Sequence, residues 1–488
     1  MRYKRVLLVF PAFKSDAGSA WPSPSIGYLS QALEDHNIFY DVLDMKLGYS
    51  FQDLVNKVDR FCPDLVGFTI FTLKHKAVYE LIVRLKGLRP DIHAIVGGPH
   101  IRIVKEDALR ICNAIDFACC GEGEKLIVEL CTGQELSRIR GLVYREIGDI
   151  LFTGLRPYEL NLDRFNFPRF NKFELDKYTD EILMLSSRGC PYSCTYCSVH
   201  LFSGKKIRVR SIDSIADEIA YWHRRGKKIL NFADDNFTFY TDRVYQLCDE
   251  IEKRGLGDLT LRCSGVRADR LDRKLLQRMK EVGFKGIGIG VEGGNNKVLR
   301  SLKKGETVEE IEETIKNACD LGYEVILYFL FGTPGETEED IEDSIKLVLK
   351  YPVFKVEFYN PVPFPRTELY DWVNKNNAWT GDPITLLNEA DKVARFGSSP
   401  FFITKELPLE KRLQLSKKLE KVMRQVTMRN IQRRFEPLMG RLFSFLFARL
   451  LLSNLILHLY YSNSSFRKLV DNLRYKLLPA KEFIKSEK

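Results

Sequence analysis

The 488-residue sequence has too little charge and too many apolar residues, 29% and 45%, for a disordered chain. It has neither the glycine-proline composition of a collagen nor the apolar runs of a polytopic membrane protein. It shows no short-period repeat. Behind Met1-Arg-Tyr-Lys-Arg the apolar run Val6–Phe10 is short and no small-residue cleavage site follows, which predicts a first β-strand rather than a signal peptide and a cytoplasmic protein. A net basic excess is lacking outside the tail. Residues 405–488 hold 19 Lys and Arg against 7 Asp and Glu, so this segment carries the whole excess of +10. That excludes a whole-surface nucleic-acid binder, and the tail has no base-reading motif, so no nucleic-acid partner is expected.

The cysteines number 11, an odd count in a long chain, and three of them fall within eight residues. This is metal-site usage in a reducing compartment and not a disulfide framework.

Residues 5 to about 131 alternate Val/Ile/Leu-rich runs (Arg5–Phe10, Phe39–Asp44, Asp64–Ile70, His93–Val96, Ile115–Cys119) with amphipathic stretches such as Ser25–Asp35 and Ala77–Leu88. The runs lack strict alternation, so both faces are covered, as in a parallel sheet between helix layers. The expectation is an α/β fold whose first domain, 1–131, is doubly wound and flavodoxin-like in strand order. A connector, 132–181, carries a hairpin-like stretch at Gly141–Tyr144 and Asp149–Thr153. Six further β/α units from Ile182 to Tyr359 predict a partial (β/α)6 barrel over 182–375. The remainder, 376–488, is basic and α-helical.

The central motif, Ser187-Arg-Gly-Cys190-Pro-Tyr-Ser-Cys194-Thr-Tyr-Cys197-Ser-Val-His200, follows the first barrel strand. Loops at the carboxyl ends of barrel strands are where such folds place their chemistry. Three thiolates satisfy three irons of a [4Fe–4S] cluster and leave the fourth open, the mark of a reactive site rather than a structural one. Zinc is the alternative, with His200 completing a Cys3His set and giving a non-catalytic metal-binding protein. A closed electron-transfer cluster needs a fourth cysteine, and none follows Cys197 within fifty residues.

At these residues the sequence resembles the radical S-adenosylmethionine (SAM) superfamily, with Tyr196 as the aromatic residue before the last cysteine. The resemblance implies that Cys190, Cys194 and Cys197 hold a [4Fe–4S] cluster, that SAM chelates its open iron, and that an electron donor of flavodoxin or ferredoxin type serves it. Further SAM contacts are implied at Asp234 and Asp235 (Asn231–Thr238), Ser264, Glu292 (Gly286–Gly294) and Gly332 (Phe329–Thr337). The bland readings of these segments are helix capping and turn chemistry. Arg267 reads equally as a carboxylate partner or a surface ion pair. One departure stands out: Pro365-Arg366-Thr367 has Arg where the family has Gly, so a turn requiring φ > 0 must differ here, leaving Arg366 to meet an anionic substrate.

The first domain resembles the cobalamin-binding domain of B12-dependent radical SAM enzymes. The resemblance rests on Pro11, Pro24–Leu29, Pro63–Thr69, Val96-Gly97-Gly98-Pro99-His100 and Gly121-Glu122-Gly-Glu124. It implies cobalamin contacts at Pro11, Thr69, Gly97, Gly98, Gly121 and Glu122, where glycines let a corrin or nucleotide tail approach the backbone. The Asp-x-His-x-x-Gly motif of a protein-derived cobalt ligand does not occur, so no histidine of this domain is expected on cobalt.

The resemblance implies methylation of an unactivated carbon of a small-molecule or lipid substrate. Cyclisation or rearrangement without methyl transfer is the alternative, and the lack of a second cysteine triad argues against a methylthiotransferase. Leu442–Tyr461 has nearly the length of a membrane span, but Arg449 near its middle costs roughly 2.5–3.5 kcal/mol. The expectation is a helix buried against the barrel or one lying on the inner face of the membrane, a peripheral contact.

Overall fold

The structure, a computed structural model, describes residues 2–12, 21–388, 399–453 and 456. Its first sheet contains β1 (Arg5–Phe10), β2 (Phe39–Asp44), β3 (Leu65–Thr69), β4 (His93–Gly97), β5 (Phe117–Cys119), β6 (Leu142–Glu146) and β7 (Asp149–Phe152). The order is β2-β1-β3-β4-β5-β6-β7. The first five strands are parallel in the flavodoxin-like order read from the sequence. The hairpin β6–β7 adds to β5 antiparallel, so the sheet continues past residue 131.

Alternate residues of these strands serve two cores. Leu7, Val9, Val66, Phe68 and Val96 face α2 (Phe51–Phe61) and α3 (His75–Leu88). Val6, Leu8, Leu65, Ile95 and Phe117 face α1 (Pro24–Asp35) and α4 (Glu124–Thr132), and this second core runs on without a break into the barrel. Both faces are therefore apolar, which is why the strands read as continuous hydrophobic runs.

The barrel sheet is β8 (Glu181–Met184), β11 (Ile229–Phe232), β12 (Thr260–Val266), β13 (Phe284–Glu292), β14 (Glu324–Leu330) and β15 (Lys355–Tyr359), all parallel and in sequential order. Its crossover helices begin on side-chain caps, except Thr241–Lys253. Capping boxes at Thr307/Glu310 and Thr337/Asp340 set the starts of Val308–Asp320 and Glu338–Lys350. Between β8 and β11 a two-residue pairing of β9 (Ser187–Arg188) with β10 (Arg208–Val209) encloses the cysteine motif.

Beyond the barrel, Leu409–Leu451 is a helical hairpin, not one rod. Gly440 (φ 75°, ψ 166°), three residues after Pro437, breaks it, and the return leg folds back so that Phe447 meets Phe435 at 4.7 Å. Arg424 donates to Leu452 O at 3.4 Å. Ser444 and Ala448 are buried, while Leu442, Phe443, Leu446 and Leu450 stand at least half exposed. No helix among the described residues is long and apolar enough to cross a membrane. The sequence-predicted apolar stretch to Tyr461 lies outside the described residues beyond 453, apart from Ile456.

The connector packs on α1 at Gly27, where an added Cβ would come within 2.4 Å of Phe170 Cε1 and 2.7 Å of Pro168 Cβ. Gly27→Ala should therefore lower stability by roughly 1–3 kcal/mol, read as a shift of the urea midpoint; an unchanged midpoint would show that the Pro168–Phe170 strap yields freely.

Candidate functional site

The cysteine loop is positioned by groups it does not itself contain. Asp234, at the end of β11, accepts from Ser186 N–H (2.6 Å), Ser187 Oγ (2.7 Å) and Ser186 Oγ. Asp235 accepts from Gly189 N–H (2.9 Å) and from the Ser203 hydroxyl. Arg243 donates to Ser186 O and Arg210 O at 2.9 and 3.0 Å. The two carboxylates expected to contact SAM are thus bonded to the chain's own donors, and their effect is to fix the corner from which Cys190 projects. Burial raises the pKa of both.

Cys190, Cys194 and Cys197 are each partly buried. Burial raises all three thiols, Cys197 to about 12, and the Cys197 thiol is pushed up further by its two companions. Three thiols that oppose one another's ionisation form a donor set suited to a cationic group that stabilises the thiolates together. His200 turns its ring to the Cys197 carbonyl, and burial lowers its pKa. Among the described residues no three His, Cys, Asp or Glu side chains converge closely enough to hold a single metal ion.

Tyr196 packs into a cluster with Leu369, Val373, Phe401 and Phe402 and bonds through its hydroxyl to Glu292. Glu292 ends β13 at φ 67° and pairs with buried Lys304 at 3.3 Å. Lys304 also meets Glu306 (3.4 Å), which meets Arg267 (3.5 Å). Arg267 is 6% exposed, binds Asp269 at 3.0 Å and lies 3.6 Å from the Tyr192 ring centroid. It is a buried strut under the cysteine loop, not a surface ion pair. Inside the barrel, Ser264 faces Asn231 at 3.5 Å, and Asn231 donates to Glu181 at 2.8 Å.

Gly332 sits in a clamp. Glu336 accepts from Gly332 N–H (2.7 Å) and Thr333 N–H (2.8 Å), while Arg412, from the C-terminal hairpin, donates to Phe331 O (2.8 Å) and Gly332 O (3.1 Å). A Cβ at Gly332 would lie 2.3 Å from Arg412 Cζ, so the glycine is required by this approach. Arg366 takes φ 69° while exposed. The turn did not change to suit the residue; arginine accepts the left-handed conformation at about 1–2 kcal/mol.

In the first domain Thr69, Gly97, Gly98, Gly121 and Glu122 come together. They line one slot of about 220 Å³ at the carboxyl ends of β3, β4 and β5, walled otherwise by apolar Leu8, Ile26, Leu29, Ile95 and Ile127. Pro11, which follows β1, is not among the residues that line it. Glu122 pairs with Arg188 (3.0 Å) and Arg208 (2.7 Å), and Glu124 pairs with Arg188 (2.7 Å). Burial opposes the charge on Glu122, but the two guanidinium groups outweigh it and lower its pKa. Sequence reasoning missed Arg188, Arg208 and Arg412; the only visible signal was Arg188 beside the first cysteine in an otherwise uncharged motif.

A family model described as the radical SAM superfamily matches residues 184–348, and one described as a B12-binding domain matches 13–131. An uncharacterized methyltransferase of Pyrococcus horikoshii is 30% identical over 77% of this chain and 84% of its own length. An anaerobic magnesium-protoporphyrin IX monomethyl ester cyclase of Rubrivivax gelatinosus is 27% identical over 75% and 69%. The structure of the radical SAM methyltransferase TsrM from Kitasatospora setae, with cobalamin and a [4Fe–4S] cluster bound, superposes with a TM-score of 0.69 at 18% identity, covering 91% of this chain and 99% of that one.

Burial raises Glu336 to about 7. A raised acid favours the fold while protonated, so this contribution is full below about pH 4.5 and is lost as pH rises through 7, on the order of 3 kcal/mol. Relative to Glu336→Gln, the wild-type urea midpoint should fall between pH 5 and pH 8; parallel midpoints would mean that Glu336 ionises as an ordinary carboxylate.

Proposed function

The chain belongs to the radical SAM superfamily, in the group that carries a B12-binding domain, and from this premise we propose that it methylates an unactivated carbon of a small-molecule substrate. Its cofactors are a [4Fe–4S] cluster, SAM and cobalamin. Bound together, these groups supply one-electron cleavage of SAM and a carrier for a methyl group.

The observation that carries the reading is the convergence of the cysteine loop and the B12-type slot on one set of ion pairs, Glu122 and Glu124 with Arg188 and Arg208. Cys190, Cys194 and Cys197 hold the cluster. Asp234 and Asp235 hold the backbone at Ser186 and Gly189, the stretch that leads into the cysteine loop. Tyr196 is locked by Glu292 and closes one side of the triad. Ser264 and Glu292, at the ends of β12 and β13, are the groups that face SAM. Gly332 shapes the neighbouring wall through its clamp between Glu336 and Arg412. Thr69, Gly97, Gly98 and Gly121 take cobalamin along the slot, where the apolar walls suit its nucleotide tail and the small residues admit the corrin edge. An external one-electron donor completes the system.

The protein reconstituted anaerobically should take up about four irons and release 5′-deoxyadenosine from SAM. Cys190→Ala, Cys194→Ala and Cys197→Ala should each abolish both at unchanged far-UV circular dichroism. Iron retained in full by any of the three would remove that residue from the ligand set. SAM bearing a labelled methyl group should pass the label to bound cobalamin. Cobalamin that stays unlabelled while 5′-deoxyadenosine forms would favour ring formation, the chemistry named for the Rubrivivax relative.

We further propose that the return leg of the C-terminal hairpin rests on an anionic bilayer. Leu442, Phe443, Leu446 and Leu450 present an apolar face, with Arg441 and Arg449 exposed on the same leg. The protein should co-sediment with phosphatidylglycerol vesicles and release at high salt, and Leu442→Ser/Phe443→Ser/Leu446→Ser should stay in the supernatant. Equal partition of the triple variant and the wild type would remove the membrane from this account.

A further inference from the structure

The slot of the first domain is not walled by that domain alone. Leu185 and Arg188, which belong to the barrel chain between β8 and Cys190, close it. Arg188 is the only strongly cationic group among the lining residues and stands two positions before the first cysteine. Its guanidinium is fixed from four directions. Glu122 and Glu124 take its N–H groups at 3.0 and 2.7 Å, and it lies over the rings of Tyr28 (4.8 Å) and Phe165 (5.4 Å). Tyr28 and Glu124 also line the slot.

Arg188 is also tied to the far end of the cysteine loop. It pairs across β9–β10 with Arg208, which shares Glu122 and donates to Glu159 O (2.9 Å) and Ser203 O (3.0 Å). The stretch Leu185–Cys190 is thus pinned on its slot side by Arg188 and on its barrel side by Asp234 and Asp235 at Ser186, Ser187 and Gly189. Displacing either end of this stretch is costly, because each anchor is a buried charge or a buried amide whose partner is left unsatisfied.

Resting on the cofactor assignment made above, we infer that Arg188 couples the nucleotide-tail slot to the cysteine triad. Filling the slot holds the cysteine loop in its cluster-binding form, and a loaded triad holds the slot's barrel-side wall in place. Arg188 is a positioning residue in this scheme: it acts on the thiolates through the backbone of Gly189 and on the cofactor through the wall it forms with Glu124. Coupling of this kind is reciprocal, so each cofactor raises the affinity for the other by the same factor.

The full chain, prepared with the cluster reconstituted and with the iron removed, is titrated with hydroxocobalamin and with cobinamide, which has the corrin but no nucleotide tail. Visible absorbance reads binding in each case. Cobalamin should bind the cluster-loaded protein at least about fivefold tighter than the iron-free protein, while cobinamide should bind both alike. Saturating cobalamin should slow the stripping of iron by a chelator, and cobinamide should not. Arg188→Gln and the milder Glu124→Gln should each reduce the difference; the unmutated titrations test the inference even if neither variant folds. Equal cobalamin affinity in the two forms, or an equal gain for cobinamide, would overturn the coupling and leave the cofactor assignment standing. No cobalamin binding to either form would overturn both.

Discussion

Four charged side chains, Glu122 and Glu124 from the loop after β5 and Arg188 and Arg208 from the rim of the cysteine loop, hold the two α/β units in register. All four side chains are at most 14% exposed. Such pairs are poor sources of net stability, because removing charge from water offsets most of the attraction, whereas breaking one is severe. Their use here is geometric. Hydrophobic burial is non-directional, and the core of this molecule runs from the first sheet into the barrel, so the ion pairs add the directional constraint. A bifurcated set, in which Glu122 receives two arginines and Arg188 receives two glutamates, has one low-energy arrangement. It places the strand ends of one parallel sheet against the loop at the strand ends of the other.

That placement matters because parallel sheets bind ligands at their carboxyl edges. With each unit alone, the slot would open to water and the cysteine loop would lack half its support. Docked edge to edge, the two share Arg188 as a common wall, and the connector supplies aromatic cover through Tyr158 over Arg208 and Phe165 over Arg188. The connector is therefore part of the site's frame: Glu159 donates its N–H to Glu122 and pairs with Lys125, so a segment without regular strands after β7 still has buried work for its polar groups.

How far this was legible in the sequence depended on the distance over which the information acts. Runs such as Arg5–Phe10 and Phe39–Asp44 carry their strand identity in their own residues, and the structure places those two strands over the same residues. The cysteine spacing is equally local. Partnerships across long separations were not legible: Arg188 with Glu122 spans 66 positions, and Arg412 with Gly332 spans 80. Nothing local distinguishes Arg412 from the many basic residues around it. Asp234 and Asp235 show the subtler limit. Their type and strand-end position were plain, but which donors reach them depends on how the Ser186–Gly189 backbone turns, and hydrogen-bond saturation by the protein itself is invisible before folding. Arg366 shows the opposite case, where a residue ill-suited to a left-handed turn is carried by the surrounding Pro363–Thr367 bend.

Arg412 extends the argument to the C-terminal region. A six-stranded parallel sheet leaves β15 as an open edge, with the carbonyls of Phe331, Gly332 and the segment near Phe402 converging beside it. A buried cation with no direct carboxylate ligand among the described residues satisfies three of those carbonyls at once, together with the Asn360 amide oxygen. Burial lowers its pKa to about 10, and Glu336 opposes that fall across the Gly332 peptide. The hairpin beginning at Leu409 therefore attaches to the barrel where the β14 loop turns, through backbone carbonyls that Arg412 reaches because residue 332 is glycine and through the Asn360 side chain. The barrel's wall at Gly332 and the hairpin's attachment are one interaction, so the basic C-terminal region is built into the catalytic half of the molecule from its first turn onward.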